Sequence, residues 1–136
     1  DRLPVIHEAL AESVKGVPPH RLSLGSLGTF GSRRGPQVVW VDLEGDLEFL
    51  GLLWRRVEQA LTAAGFARER RGFAPHLTLA RVRPESARGL APRIAEALPV
   101  VQVPRAELEV RELSLMRSTL QTGGAVYQRL SAFALG

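Results

Sequence analysis

The stretch Phe73-Ala74-Pro75-His76-Leu77-Thr78-Leu79-Ala80-Arg81 constrains the chain more than any other. Proline cannot donate to a strand ladder, so the stretch reads as a short strand entered through Pro75. Strand side chains alternate between faces, which sends His76 and Thr78 to one side and Leu77 and Leu79 to the other. One face then carries an imidazole and a hydroxyl, and the other is apolar and suited to packing on a helix. Strict alternation puts Arg81 on the leucine face. It joins His76 only if the strand twists or bulges after Leu79.

The rest of the chain supplies a frame for that strand. Residues 2–15 predict a helix, with Leu3, Ile6, Leu10 and Val14 at helical spacing, stopped by Val17-Pro18-Pro19. His7 lies off that stripe and His20 follows two prolines, so both read as exposed and structurally neutral. Residues 21–30 and Gln37 to Leu43 predict two strands of an antiparallel hairpin, joined by the polar turn Ser32-Arg33-Arg34-Gly35-Pro36. Arg33 and Arg34 at its tip could guide a polyanion or simply be solvated. Asp46 is placed to cap the next helix, whose stripe is Leu47, Leu50, Trp54, Val57, Leu61 and Ala64, with Gly65 as its stop. The stripe makes Trp54 a core residue. A further helix runs from Pro84 and Ser86 to about Leu98, with Pro92 in its first turns. Leu108 and Val110 share one strand parity, Leu113 and Leu115 the other, which a bulge near Glu112 would reconcile. Thr122-Gly123-Gly124 turns into a closing strand from Val126 to Leu130.

A chain of 136 residues is long enough for one domain with a core, and one domain over 1–136 is expected. No apolar run approaches the ~20 residues of a membrane-spanning helix. The absence of cysteine excludes disulfides and thiolate metal sites and suits the cytoplasm. The net charge of +4 comes from 17 arginines and the single Lys15. A positive field favours a phosphate-bearing partner such as RNA, although most individual arginines read as solvated surface.

The pattern Phe-x-Pro-His-x-Thr-x-x-Arg at residues 73–81 resembles the second H-x-T-x motif of the 2H phosphoesterase superfamily. It is most similar to the bacterial and archaeal 2'-5' RNA ligase branch, also described as RNA 2',3'-cyclic phosphodiesterase. Gly28-Thr29-Phe30, Val38-Val39-Trp40-Val41 and the long amphipathic helix before the motif fit the same branch. The resemblance implies an α+β, bilobal fold, with antiparallel sheets lining a groove and helices outside. It covers nearly the whole chain but departs in one respect. The family has two H-x-T-x motifs and this chain has one, at 76–79, so a segment with the first motif is expected to lie upstream of Asp1.

The resemblance implies hydrolysis of RNA 2',3'-cyclic phosphate ends to 2'-phosphates, without metal or cofactor. Opening such a phosphate needs two proton transfers, and histidine suits both because an imidazole titrates near neutral pH. By resemblance His76 activates water, Thr78 donates to a phosphate oxygen and Arg81 offsets phosphate charge. Phe73 either stacks on a base or plugs the space beside Pro75. The partner is then RNA with a cyclic phosphate end, or a cyclic nucleotide, met by a monomer and not at a membrane. Reverse joining of ends through 2'-5' bonds is chemically open, whereas Lys15 has no context for an ATP-dependent ligase. With only one His-Thr pair, the alternative is a non-catalytic RNA- or nucleotide-binding module, or an inactive fragment. Apart from the resemblance, a buried histidine bonded to a neighbouring threonine would explain His76 and Thr78.

Overall fold

Three α-helices, a 3-10 turn and six strands follow one another along residues 1–136, all of which are described by a computed structural model. They form two compact units. The first comprises Asp1–His20, Glu48–Phe73 and Glu109–Gly136, and the second Arg21–Leu47 and Ala74–Leu108. Four strands form a sheet in the order β3-β2-β1-β4, with β1, β2 and β3 paired antiparallel, and β5 and β6 pair separately.

In the first unit, helices α1 (Leu3–Ser13) and α2 (Leu47–Ala63) accompany the hairpin β5 (Glu112–Gln121) and β6 (Gly124–Ala134). Its core gathers Val14, Val17, Leu53 and Leu135, with Val57, Leu113 and Phe133 packed against them. Polar bonds tie the helices together: Ser13 Oγ lies 3.3 Å from the Arg56 carbonyl oxygen, and the Arg56 guanidinium reaches the Lys15 carbonyl. Gly65 ends α2 with φ +95°, a backbone setting that side chains disfavour, and Phe66 N–H returns to the Leu61 carbonyl at 3.0 Å. At the other end of this unit's sequence, Thr122 and Gly123 link β5 to β6.

Packing corrects four sequence expectations here. Leu53, one residue off the expected stripe, is buried together with Gly51 in α2, while Trp54 stands half-buried at its edge. A helix against a hairpin buries a broader arc than a single row. Both histidines also differ from their expected exposure. His20 is 4% exposed, its Nδ1–H donating to the Pro18 carbonyl at 2.9 Å and its ring lying 6.0 Å from that of Phe49. His7 is half-buried, with Nε2 at 2.9 Å from Ser131 Oγ and its ring edge-on to Phe133. Residues that look unpatterned along the chain are thus consumed by long-range contacts. The fourth correction concerns the expected bulge at Glu112. The strand breaks instead at Arg111, because β4 (Glu107–Val110) belongs to the four-stranded sheet and β5 to the pair. Glu109 lies 2.8 Å from the Arg111 guanidinium, and that hydrogen bond, with the charge attraction, holds the guanidinium above its usual range.

In the second unit, β1 (His20–Ser32) and β2 (Gly35–Gly45) form a long hairpin and β3 (His76–Arg81) adds antiparallel to β2 as the sheet's edge. Asp46 immediately precedes α2, and its Oδ2 accepts the Arg21 N–H at 2.9 Å, which closes the open end of the hairpin. After β3 a 3-10 turn at Pro84–Ser86 leads into α3 (Ala87–Ala97). Pro92 lies inside α3, past its first turn. Helix α3 packs along β2, and Leu77 and Leu79 on the edge strand remain 40% and 57% exposed.

Candidate active site

The ladder between β2 and β3 decides which side chains meet. Asp42 pairs with His76, Val41 with Leu77 and Trp40 with Thr78, after which Val39 pairs with Ala80 and Val38 with Arg81. Leu79 is therefore the extra residue of a β-bulge. Residues opposite one another share a face, so Asp42, Trp40 and Val38 define the face of His76, Thr78 and Arg81. Without the bulge Arg81 would fall on the side of Leu77. With it, imidazole, hydroxyl and guanidinium stand in one row along six residues of strand.

The imidazole is held in a defined state. His76 Nδ1 lies 2.6 Å from the Ala74 carbonyl oxygen. A carbonyl can only accept, so Nδ1 carries a proton, and in the neutral ring Nε2 is the nitrogen that keeps a lone pair. Pro75 between these residues fixes the turn that brings the carbonyl under the ring.

Aromatic rings support the same histidine. Phe30 and Gly28 oppose Val38 and Trp40 in the β1–β2 ladder, so they share its face. The Phe30 ring meets His76 edge-on, at 5.0 Å and 88°, and lies 5.2 Å from the Trp40 ring. Trp40 itself is 6.4 Å from His76. The indole lies across Gly28, where a Cβ would come within 2.3 Å of its ring carbons. Phe30, Trp40, Asp42, Pro75 and His76 line a small hollow of about 130 Å³. Thr78 and Arg81 are exposed, and neither has a side-chain hydrogen bond or ion pair. Sequence reading did not select Phe30, Trp40 or Asp42. Their parity along the hairpin was the available signal, but it has meaning only once the register is known.

Phe73 sits in the first unit, 36% exposed, with its ring tilted on Trp54 at 5.6 Å and its edge over Gly51. His7 and His20 each make contacts of their own in that unit and belong to no H-x-T pattern. No group of three or more histidine, aspartate or glutamate side chains converges to hold a metal ion. No helix is long and apolar enough to cross a membrane.

The family model for the 2'-5' RNA ligase superfamily matches residues 1–122. The chain belongs to the 2'-5' RNA ligase superfamily. Among curated relatives in that superfamily, an RNA 2',3'-cyclic phosphodiesterase of Geobacillus stearothermophilus is 34% identical over 128 residues, covering 94% of this chain and 39% of the relative. One of Aeropyrum pernix is 34% identical over 110 residues, covering 81% and 61%. The chain thus spans less than two thirds of the length of these two relatives. Solved structures share the fold. TT0787 of Thermus thermophilus superposes with a TM-score of 0.68 at 25% identity, over 98% of this chain and 70% of that one. E. coli LigT complexed with 3'-AMP superposes with a TM-score of 0.66 at 21% identity, over 97% and 67%.

Proposed function

We propose that the His76 face opens the 2',3'-cyclic phosphate at an RNA end, leaving a 2'-phosphate. The observation that carries this is the row of His76, Thr78 and Arg81 on one strand face, with Nε2 of His76 free and Nδ1–H anchored. The family and the names of the relatives support the same substrate class. A complex of LigT with 3'-AMP supports a nucleotide phosphate as the group recognised.

The chemistry follows from the groups present. Nε2 of His76 takes a proton from water, and the water oxygen attacks phosphorus in line. The bond from phosphorus to the 3' oxygen breaks, and that oxygen takes a proton from a second group, for which this face offers no second imidazole. Thr78 Oγ donates to a non-bridging oxygen and Arg81 balances the charge that builds on phosphorus. His76 thus supplies one of two proton transfers, and a 5'-hydroxyl attacking in place of water would break the same bond and join the ends through a 2'-5' linkage.

The decisive assay incubates the protein with an oligonucleotide ending in a 2',3'-cyclic phosphate and follows phosphorus NMR. A 2'-phosphomonoester is the expected product. A 3'-phosphate would reverse the roles, and salt-sensitive binding with no turnover would favour the RNA-binding module. The bulge makes a separate prediction. Deleting Leu79 removes the extra residue and leaves His76, Thr78 and Arg81 on one face by strict alternation, so affinity for a nucleoside 2'-phosphate should survive the deletion. Arg81→Ala should lower that affinity by about 1.5–3 kcal/mol, the loss of a hydrogen bond to a charged group. Calorimetry showing unchanged affinity in Arg81→Ala would separate Arg81 from phosphate binding.

A further inference from the structure

A second polar surface lies wholly within the first unit. Trp54, Arg55, Glu58, Gln59, Thr62 and Arg68 line a groove of about 530 Å³. Its floor is one face of α2, since residues 54, 55, 58, 59 and 62 follow helical spacing. Its wall is the loop after Gly65, and the loop is tied down: Glu69 N–H donates to Glu58 Oε2 at 3.0 Å, and Arg71 N–H to Glu69 Oε1 at 3.0 Å. Glu58 and Glu69 therefore have backbone duties. The four ion pairs of the chain are Glu12 with Lys15, Arg21 with Glu107, Arg111 with Glu109 and Arg129 with Glu112. None involves Arg55 or Arg68, nor Arg70 and Arg71 of the same loop. Arg55 and Arg68, both exposed, line the groove with an indole whose ring also meets that of Phe73 at 5.6 Å.

Unpaired arginines beside a braced, half-buried indole fit a phosphodiester chain with an unstacked base. A groove for free phosphate would need no ring, and one for an apolar partner would not be lined by two unpaired cations. We infer that this groove holds a nucleotide within the body of a single-stranded RNA, with the base against Trp54 and phosphates at Arg55 and Arg68. The choice of RNA rests on the function proposed above. Gln59 and Thr62 offer hydrogen-bonding groups for sugar or base edges. The site would hold RNA by its length, whatever group its end carries.

The test uses a fluorescent single-stranded RNA 12-mer with a plain 3'-hydroxyl, and the protein carrying Arg55→Gln and Arg68→Gln. Both side chains are exposed, so the fold should survive, and circular dichroism checks this. Anisotropy at several salt concentrations should show binding weakened about tenfold at low salt. The slope of log affinity against log salt should fall by about 1.4, as each phosphate contact on a single strand contributes about 0.7. Affinity for a nucleoside 2'-phosphate should be unchanged in that variant, and His76→Ala should leave 12-mer binding unchanged. Equal 12-mer binding by the double variant and the parent would overturn the inference. If His76→Ala has no effect on cyclic-phosphate turnover while the arginine variant loses the 12-mer, the end-group chemistry fails and the groove stands.

Discussion

Replacing His76 with alanine should lower turnover of a 2',3'-cyclic-phosphate oligonucleotide by about 10²–10⁴-fold, the usual contribution of one positioned proton-transfer group. The loss should fall on kcat, because Nε2 acts on water rather than on the nucleotide as a whole. His76→Gln is the sharper control, since an amide can keep a hydrogen bond to the Ala74 carbonyl but has no titratable nitrogen. It should be as inactive as His76→Ala and as stable as the parent in urea. Thermal and denaturant stability matter here because His76 also meets Phe30 edge-on. A glutamine variant with near-parental turnover would remove His76 from the proton-transfer step.

The second large effect is steric. Gly28 is the place where the Trp40 indole crosses β1, and an added Cβ would stand 2.3 Å from its ring. Gly28→Ala forces that ring to move, and overpacking of this kind costs about 1–3 kcal/mol. The ring has little freedom, with Phe30 at 5.2 Å and His76 at 6.4 Å. Displacing it should also disturb the imidazole, so turnover should drop further than stability alone explains. Trp40→Phe removes the ring atoms that clash, and adding it to Gly28→Ala should restore part of the loss. A coupling of about 0.5–3 kcal/mol is expected from the double-mutant cycle in urea. Additive effects of the two changes would mean that the indole does not rest on Gly28.

Much of this arrangement was legible before any coordinates. Pro75 marked the strand's entry, alternation put His76 and Thr78 together, and Gly65 stopped the long helix where it does stop. The α+β architecture was what the family resemblance implied, and the order of helices and strands agrees with it. Arg81 was only conditionally legible. A bulge belongs to a pair of strands, and nothing within residues 76–81 says that Val39 and Trp40 will pair across an extra residue. Phe30 and Trp40 escaped for the same reason, since facing the histidine depends on register as well as residue type. Asp46 precedes the helix as read, but its bond to a strand N–H twenty-five residues earlier was not legible, because it depends on how the hairpin closes. Trp54 sat on a plausible apolar stripe, yet the helix turns Leu53 into the core and leaves the indole at the rim of a groove.

The central claim is that His76 keeps Nδ1 protonated against Ala74 and offers Nε2 to the phosphate-bound water. Nitrogen-15 NMR of the imidazole rings tests it directly, with His76→Gln assigning the signal among the three histidines. Spectra above neutral pH should show a protonated Nδ1 and a bare Nε2, and a nucleoside 2'-phosphate should shift Nε2 while Nδ1–H stays in place. A proton on Nε2 with Nδ1 bare, or a ring indifferent to the nucleotide, would contradict the account.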